Sequence, residues 1–115
     1  MTCNRNYLKA SKTKTLEELY DFIIKNVDAE NPMTFNTNME IKQFDEVRLM
    51  NFVMEKRYRR ISGSVNLFIE FLEYHSEQYV TIISYVDNVL FDLGSMKHFS
   101  NLLIVALKEL GFEEV

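Results

Sequence analysis

The chain has 115 residues, 47% of them apolar and 26% charged, with one proline, three glycines and a formal net charge of −4. This describes one domain with enough apolar matter for a core, and too little Pro and Gly for long linkers or disordered tails. An acidic balance gives no overall attraction to phosphate backbones, and a single cysteine, Cys3, excludes an intrachain disulfide scaffold.

The opening stretch MTCNRNYLKASKTKT has no apolar core of signal-peptide length, and no apolar run approaches the ~18–20 residues that span a bilayer. The expectation is a cytoplasmic protein, one domain over residues 1–115, with no membrane association. Residues 6–10 read as a short first strand, with Tyr7, Leu8 and Ala10 as its apolar members. A helix follows over residues 15–27. Thr15 and Glu18 form a capping box, each side chain satisfying an amide that the first turn leaves open. Leu16, Leu19, Tyr20, Ile23 and Val27 fall at helical spacing and build one apolar face. Glu17, Asp21 and Lys25 line a solvated face, with Asp21 and Lys25 four apart.

Pro32 disfavours helical geometry at Asn31, so the helix ends before it. Between Met33 and Gln43 the pattern is irregular, with short edge-strand pieces at Thr34–Phe35 and Met39–Ile41. Residues 45–60 fit two patterns. Val47, Met50, Val53, Met54 and Tyr58 match a helix. Met50, Phe52, Met54 and Tyr58 against Val47, Leu49 and Val53 match a strand. The β-branched and aromatic content, and a hairpin turn at Ser62-Gly63-Ser64, favour a strand over residues 47–59.

The stretch SVNLFIEFLEYHSEQYVTIISYV organises the chain. Val65, Leu67, Ile69 and Phe71 alternate with Asn66, Phe68, Glu70 and Leu72, a period of two that marks β structure. A turn falls between Tyr74 and Gln78, and residues 79–86 form the return strand. Asp87-Asn88 breaks it, and residues 89–93 add a few extended positions. Ser95, after Gly94, caps a closing helix over residues 96–110. Its apolar stripe is Met96, Phe99, Leu103, Ala106 and Leu110, and Gly111 stops it. The order β-α-(β)-β-β-β-α, with short turns between successive strands, predicts a two-layer α+β domain. Four to five antiparallel strands carry both helices on one face.

Chemistry is sparse. Lys56, Arg57, Arg59 and Arg60 place four cations in five residues around Tyr58, a composition suited to anions or nucleic acid. A strand sends alternate side chains to opposite faces, which dilutes the patch, and charged strand ends also discourage edge pairing. Nucleic acid is therefore not the expected partner. Glu73, His75 and Glu77 have a ligand-like spacing, but the turn falls there, so no metal is expected. Cys3 and His98 have no activating neighbours in sequence. No GxGxxG, P-loop, GxSxG or HExxH motif occurs, and Asp87 and Asp92 are explained by turn and capping roles. No catalytic residue and no cofactor is expected.

The hairpin's second face is more informative. Phe68, Leu72, Tyr79 and Tyr85 sit opposite the residues that build the core, where a solvated face is mostly polar. Such a face calls for cover by segment 33–46, by a second copy, or by a ligand. The leading expectation is a non-enzymatic domain that self-associates as a homodimer, or binds a partner, through these four residues. The alternative is a binder of an apolar small molecule held between sheet and helices.

Two stretches, EKRYRRISGSVNLFIEFLE and FDLGSMKHFSNLLIVALKELG, resemble small bacterial α+β domains of uncharacterised function. The element order is also similar to that of helix-grip domains, whose curved antiparallel sheet holds a long C-terminal helix. The resemblance spans residues 50–112 and implies a fold, with no catalytic residues to carry over.

Overall fold

The computed structural model describes residues 2–28, 34–58, 63–86 and 93–115. Strand β1 (Thr2–Ser11) leads to helix α1 (Leu16–Ile23), whose C-terminal end widens into a π-helical turn, Ile24–Asp28. Strands β2 (Thr34–Asn36), β3 (Glu40–Phe44), β4 (Val47–Tyr58), β5 (Gly63–Tyr74) and β6 (Glu77–Val86) follow. Helix α2 (Leu93–Glu109) and a two-residue strand β7 (Glu113–Glu114) close the chain. The sheet has seven strands in the order β2-β4-β5-β6-β1-β7, with β3 beside β2 on the same edge of β4. Every pairing is antiparallel.

The α+β class, the antiparallel sheet and the two helices agree with the sequence reading; the strand count is larger. The first strand is twice the expected length because it pairs with β6 from Thr2↔Val86 to Ser11↔Glu77. The edge pieces expected between residues 33 and 43 are both present, the second running on to Phe44. The ambiguous residues 47–58 are a strand, with Met50, Phe52 and Met54 buried on one side. Helix α2 starts at Leu93, so Ser95 lies inside its first turn and is not its cap. Gly and Ser are tolerated in a first turn, and a cap-like pair there marks the turn without fixing the boundary. The expected break at Asp87-Asn88 and the extended positions 89–92 lie outside the described residues, as do Pro32 and Ser62, while Leu93, expected to be extended, opens helix α2. Gly63 and Ser64 belong to β5.

The capping box of α1 forms as predicted. The Glu18 backbone N–H donates to Thr15 Oγ1 at 3.1 Å, and the Thr15 N–H donates to Glu18 Oε1 at 3.0 Å. Leu16, Leu19, Ile23 and Val27 are buried, as are Met96, Phe99, Leu103 and Leu107 of α2. They form one core cluster with Met50, Phe52, Met54, Val65, Leu67, Ile69, Phe71, Val80 and Ile82. Both helices therefore cover the same face of the sheet.

The outer edge carries a bulge. Phe35↔Glu55 continues through Thr37, whose N–H donates to Val53 O, while Glu40 pairs with Asn51. Asn38 and Met39 thus stand opposite Phe52 alone, the two-against-one arrangement of a β-bulge. Thr37 Oγ1 accepts the Val53 N–H at 2.9 Å, so the ladder bond is kept by a side chain. Tyr20 of α1 packs its ring edge-on to Phe52 at 4.8 Å and donates its hydroxyl to Thr37 O. The helix thereby holds the interrupted edge in place.

Two outcomes follow from this packing. Leu103 is fully buried and Lys97 exposed. In denaturant melts Leu103→Ala should cost about 2–5 kcal/mol by leaving a cavity, and Lys97→Ala under about 0.5 kcal/mol. The Thr15 backbone N–H, and secondarily its side chain, hold the Glu18 carboxyl below its ordinary 4.5. A carboxylate whose folded pKa is depressed adds stability above its unfolded pKa and loses it as pH falls through the folded value. The melting-temperature advantage of the native chain over Glu18→Ala should be constant near neutral pH. It should shrink only as acid is added below the ordinary Glu value.

Candidate functional site

Strand register places each residue on one of two faces. Even-numbered residues of β1, β4 and β6 and odd-numbered residues of β5 face the helices. The opposite face carries cross-strand rows. One is Val53–Phe68–Ile83–Arg5; the next is Glu40–Asn51–Glu70–Thr81–Tyr7. Then come Lys42–Leu49–Leu72–Tyr79–Lys9 and Phe44–Val47–Tyr74–Glu77–Ser11.

The four residues predicted as a partner face, Phe68, Leu72, Tyr79 and Tyr85, all lie here. Tyr79 is exposed; the other three are half-buried among their neighbours. Sequence reasoning missed three further members. Phe44 is 58% exposed, Tyr7 49% and Tyr74 44%, against 43% for Tyr79. These four are the exposed Phe and Tyr side chains among the residues whose burial is described, and all share the helix-free face. They gather at the end of the sheet that carries the turns of the β3–β4 and β5–β6 hairpins, around Leu49 and Leu72. Phe68 and Tyr85 lie toward the other end. The missing members belong to strands whose register no local pattern reveals.

Segment 33–46 does not cover this face in its described part. Residues 34–44 are spent on the sheet edge. The space between sheet and helices is filled by side chains of 0–2% exposure, among them Phe52, Phe71, Phe99 and Leu103. A solvent-open cleft beside α2, lined by Asn26, His98, Asn101 and Val105, is about 230 Å³. That is below the ~300–1,000 Å³ typical of small-molecule sites.

The basic run is divided by its strand. Lys56 takes the helix side, and partial burial draws its pKa below the ordinary value. Arg57 takes the helix-free side, where its Nε lies 3.6 Å from Glu55. Arg59 and Arg60 lie outside the described residues.

Glu73, His75 and Glu77 are also separated. Glu73 turns inward at 5% exposure, and Glu77 sits on the opposite face. His75 occupies the two-residue turn with φ +55°, its Nε2 3.5 Å from Glu46. No group of three or more metal-ligating side chains occurs among the described residues. Instead Glu73 anchors a polar cluster. Lys12 Nζ reaches Glu73 Oε2 at 3.2 Å, Arg48 stands 3.9 Å from the same oxygen, and Gln78 Nε2 donates to Oε1 at 2.9 Å. Gln78 also donates to the Lys14 carbonyl, and Arg48 reaches Glu17 at 3.5 Å. The cluster ties the β1–α1 connection and α1 to the sheet, and it is satisfied from within. Cys3 is exposed on β1.

No protein-family model matches the chain, and no curated protein matches it. No helix among the described residues is long and apolar enough to cross a membrane.

Removing the buried carboxylate strands Gln78 and its two cations. Glu73→Ala should destabilise the fold by about 1–3 kcal/mol, below the cost of breaking a fully buried pair because Lys12 and Arg48 remain partly solvated. Chemical denaturation with and without added salt checks this. A loss that 1 M salt leaves intact identifies the buried hydrogen bonds, rather than screened charge, as the main contribution.

Proposed function

We propose that this chain is a non-catalytic interaction domain that works through the helix-free face of its sheet, by self-association or by docking a partner. The supporting observation is the segregation of exposed aromatics: Tyr7, Phe44, Tyr74 and Tyr79 share one face and one end of it. Tyrosine suits such a surface, with an apolar body for burial and a hydroxyl that still finds partners. Aromatic enrichment around aliphatic centres such as Leu49 and Leu72 is the composition of protein interfaces. Burying these rings returns about 25 cal/mol per Å² of apolar area. The predicted four-residue face is kept, with its centre moved toward the hairpin turns.

The alternative of an apolar small molecule between sheet and helices draws less support, since side chains occupy that space. Anion binding through Lys56, Arg57, Arg59 and Arg60 is disfavoured by the opposite facing of the first two. The helix-grip likeness draws support from a sheet that carries α2 along one face.

Light scattering across micromolar concentrations tests the reading. The native chain should associate, and Tyr79→Glu or Phe44→Glu should abolish association while keeping the thermal melt cooperative. Val105→Glu, on the exposed side of α2, should leave association unchanged. A strictly monomeric chain whose solubility neither face variant alters removes the reading.

A further inference from the structure

The charges on the helix-free face are sorted by row, and the sorting selects an occupant. The Glu40–Asn51–Glu70–Thr81–Tyr7 row is anionic; its neighbour, Lys42–Leu49–Leu72–Tyr79–Lys9, carries lysines on β3 and β1, the second with Glu113 of β7 beside it. Resting on the interaction-face reading above, we infer that the occupant is a second copy of this chain. The two copies are related by a two-fold axis that runs across the strands between these two rows.

That axis lays the anionic row of one copy on the cationic row of the other. Glu40 of each copy then stands over Lys42 of the other, twice per dimer. Tyr7 of each stands over Lys9 of the other, a ring-to-ammonium contact. The next rows out meet in the same way, Val53 over Val47 and Phe68 over Tyr74. An axis parallel to the strands and centred on β5 sets β3 over β1 instead, and Lys42 over Lys9. Like charges placed directly opposite oppose association, so the charge pattern chooses between the two symmetries. A two-fold also needs a patch complementary to itself, which Glu40 and Lys42 supply at the β3 edge, while Glu70 meets Leu72 at the centre.

The size is adequate. Three rows cross five strands and the Val53 row crosses four; with strands about 4.8 Å apart and rows about 6.8 Å apart they cover about 620 Å² per copy. The pair then buries about 1,200 Å², at the lower end of the range of specific protein interfaces.

Sedimentation equilibrium on the full chain tests the arrangement, with circular dichroism melts to confirm that each variant is folded. Lys42→Glu alone, and Glu40→Lys alone, should each weaken dimerisation at least tenfold, because each sets like charges against one another across the axis. The double variant Glu40→Lys/Lys42→Glu should restore dimerisation to within about threefold of the native chain, because both copies carry the exchange. Raising salt should narrow the gap between singles and double. A native dimer that Tyr79→Glu dissociates, but in which the single reversals are silent or the double fails to rescue, overturns this symmetry while leaving the interaction face in place. A native chain monomeric at 100 µM, with Tyr79→Glu equally monomeric and no more soluble, overturns both.

Discussion

The two-residue turn at His75–Ser76 sets the register that the rest of the molecule follows. It joins Tyr74 to Glu77 and aligns β5 with the whole of β6, from Tyr74↔Glu77 to Val65↔Val86. Side chains alternate along a strand, so a slip of one residue sends every core residue to solvent. With the turn in place, Val65, Leu67, Ile69 and Phe71 share a face with Val80, Ile82 and Val86. That apolar face positions both helices, and the opposite face inherits Phe68, Leu72, Tyr79 and Tyr85. The first turn residue adopts a left-handed φ without being glycine, a conformation that His tolerates better than most side chains.

Glu73 shows how a polar group is kept next to such a core. It occupies the last inward-facing position of β5, where the sheet meets the β1–α1 connection. A carboxylate buried without partners is costly. Here Lys12, Arg48 and Gln78 converge on it from three other parts of the chain. The same group makes the entry to α1 specific, because Gln78 binds the Lys14 carbonyl just ahead of the Thr15 cap. The cluster adds directional polar contacts to the packing that places α1.

Features encoded by neighbours in sequence were readable, and features encoded by pairing were not. The Thr15–Glu18 capping box lies within one turn, and its amides have nowhere else to bond. The alternation of residues 65–72 is visible without a partner strand. The interrupted edge at residues 34–44 also left a trace, because polar and apolar residues lose their rhythm around Asn38 and Met39. By contrast, Tyr7, Phe44 and Tyr74 join Tyr79 on one surface only through the register of four strands, which no local window contains. Glu73, His75 and Glu77 appeared aligned because alternation was carried past the point where the chain reverses. Strand β7 escaped notice for a similar reason: two acidic residues carry no apolar pattern, and their place is fixed by pairing with Leu8 and Lys9.

The pairing of Thr2 with Val86 at one end of β1 bears on how the chain reaches this state. Strands β3 to β6 form a meander, each joined to the next by a short connection, so their contacts close small loops. Strand β1 has no such neighbour. It finds β6 only after the intervening chain has been gathered in, and loop-closure entropy is lost before those contacts repay it. Loop length alone favours forming the meander, with α2 laid on it, before β1 docks with the Lys12 end of the Glu73 cluster. Until β1 arrives, β6 presents an open edge of alternating apolar residues, a template for pairing with another chain. Contact order thus makes β1 docking the expected late step, and the open β6 edge the feature that faces other chains until then.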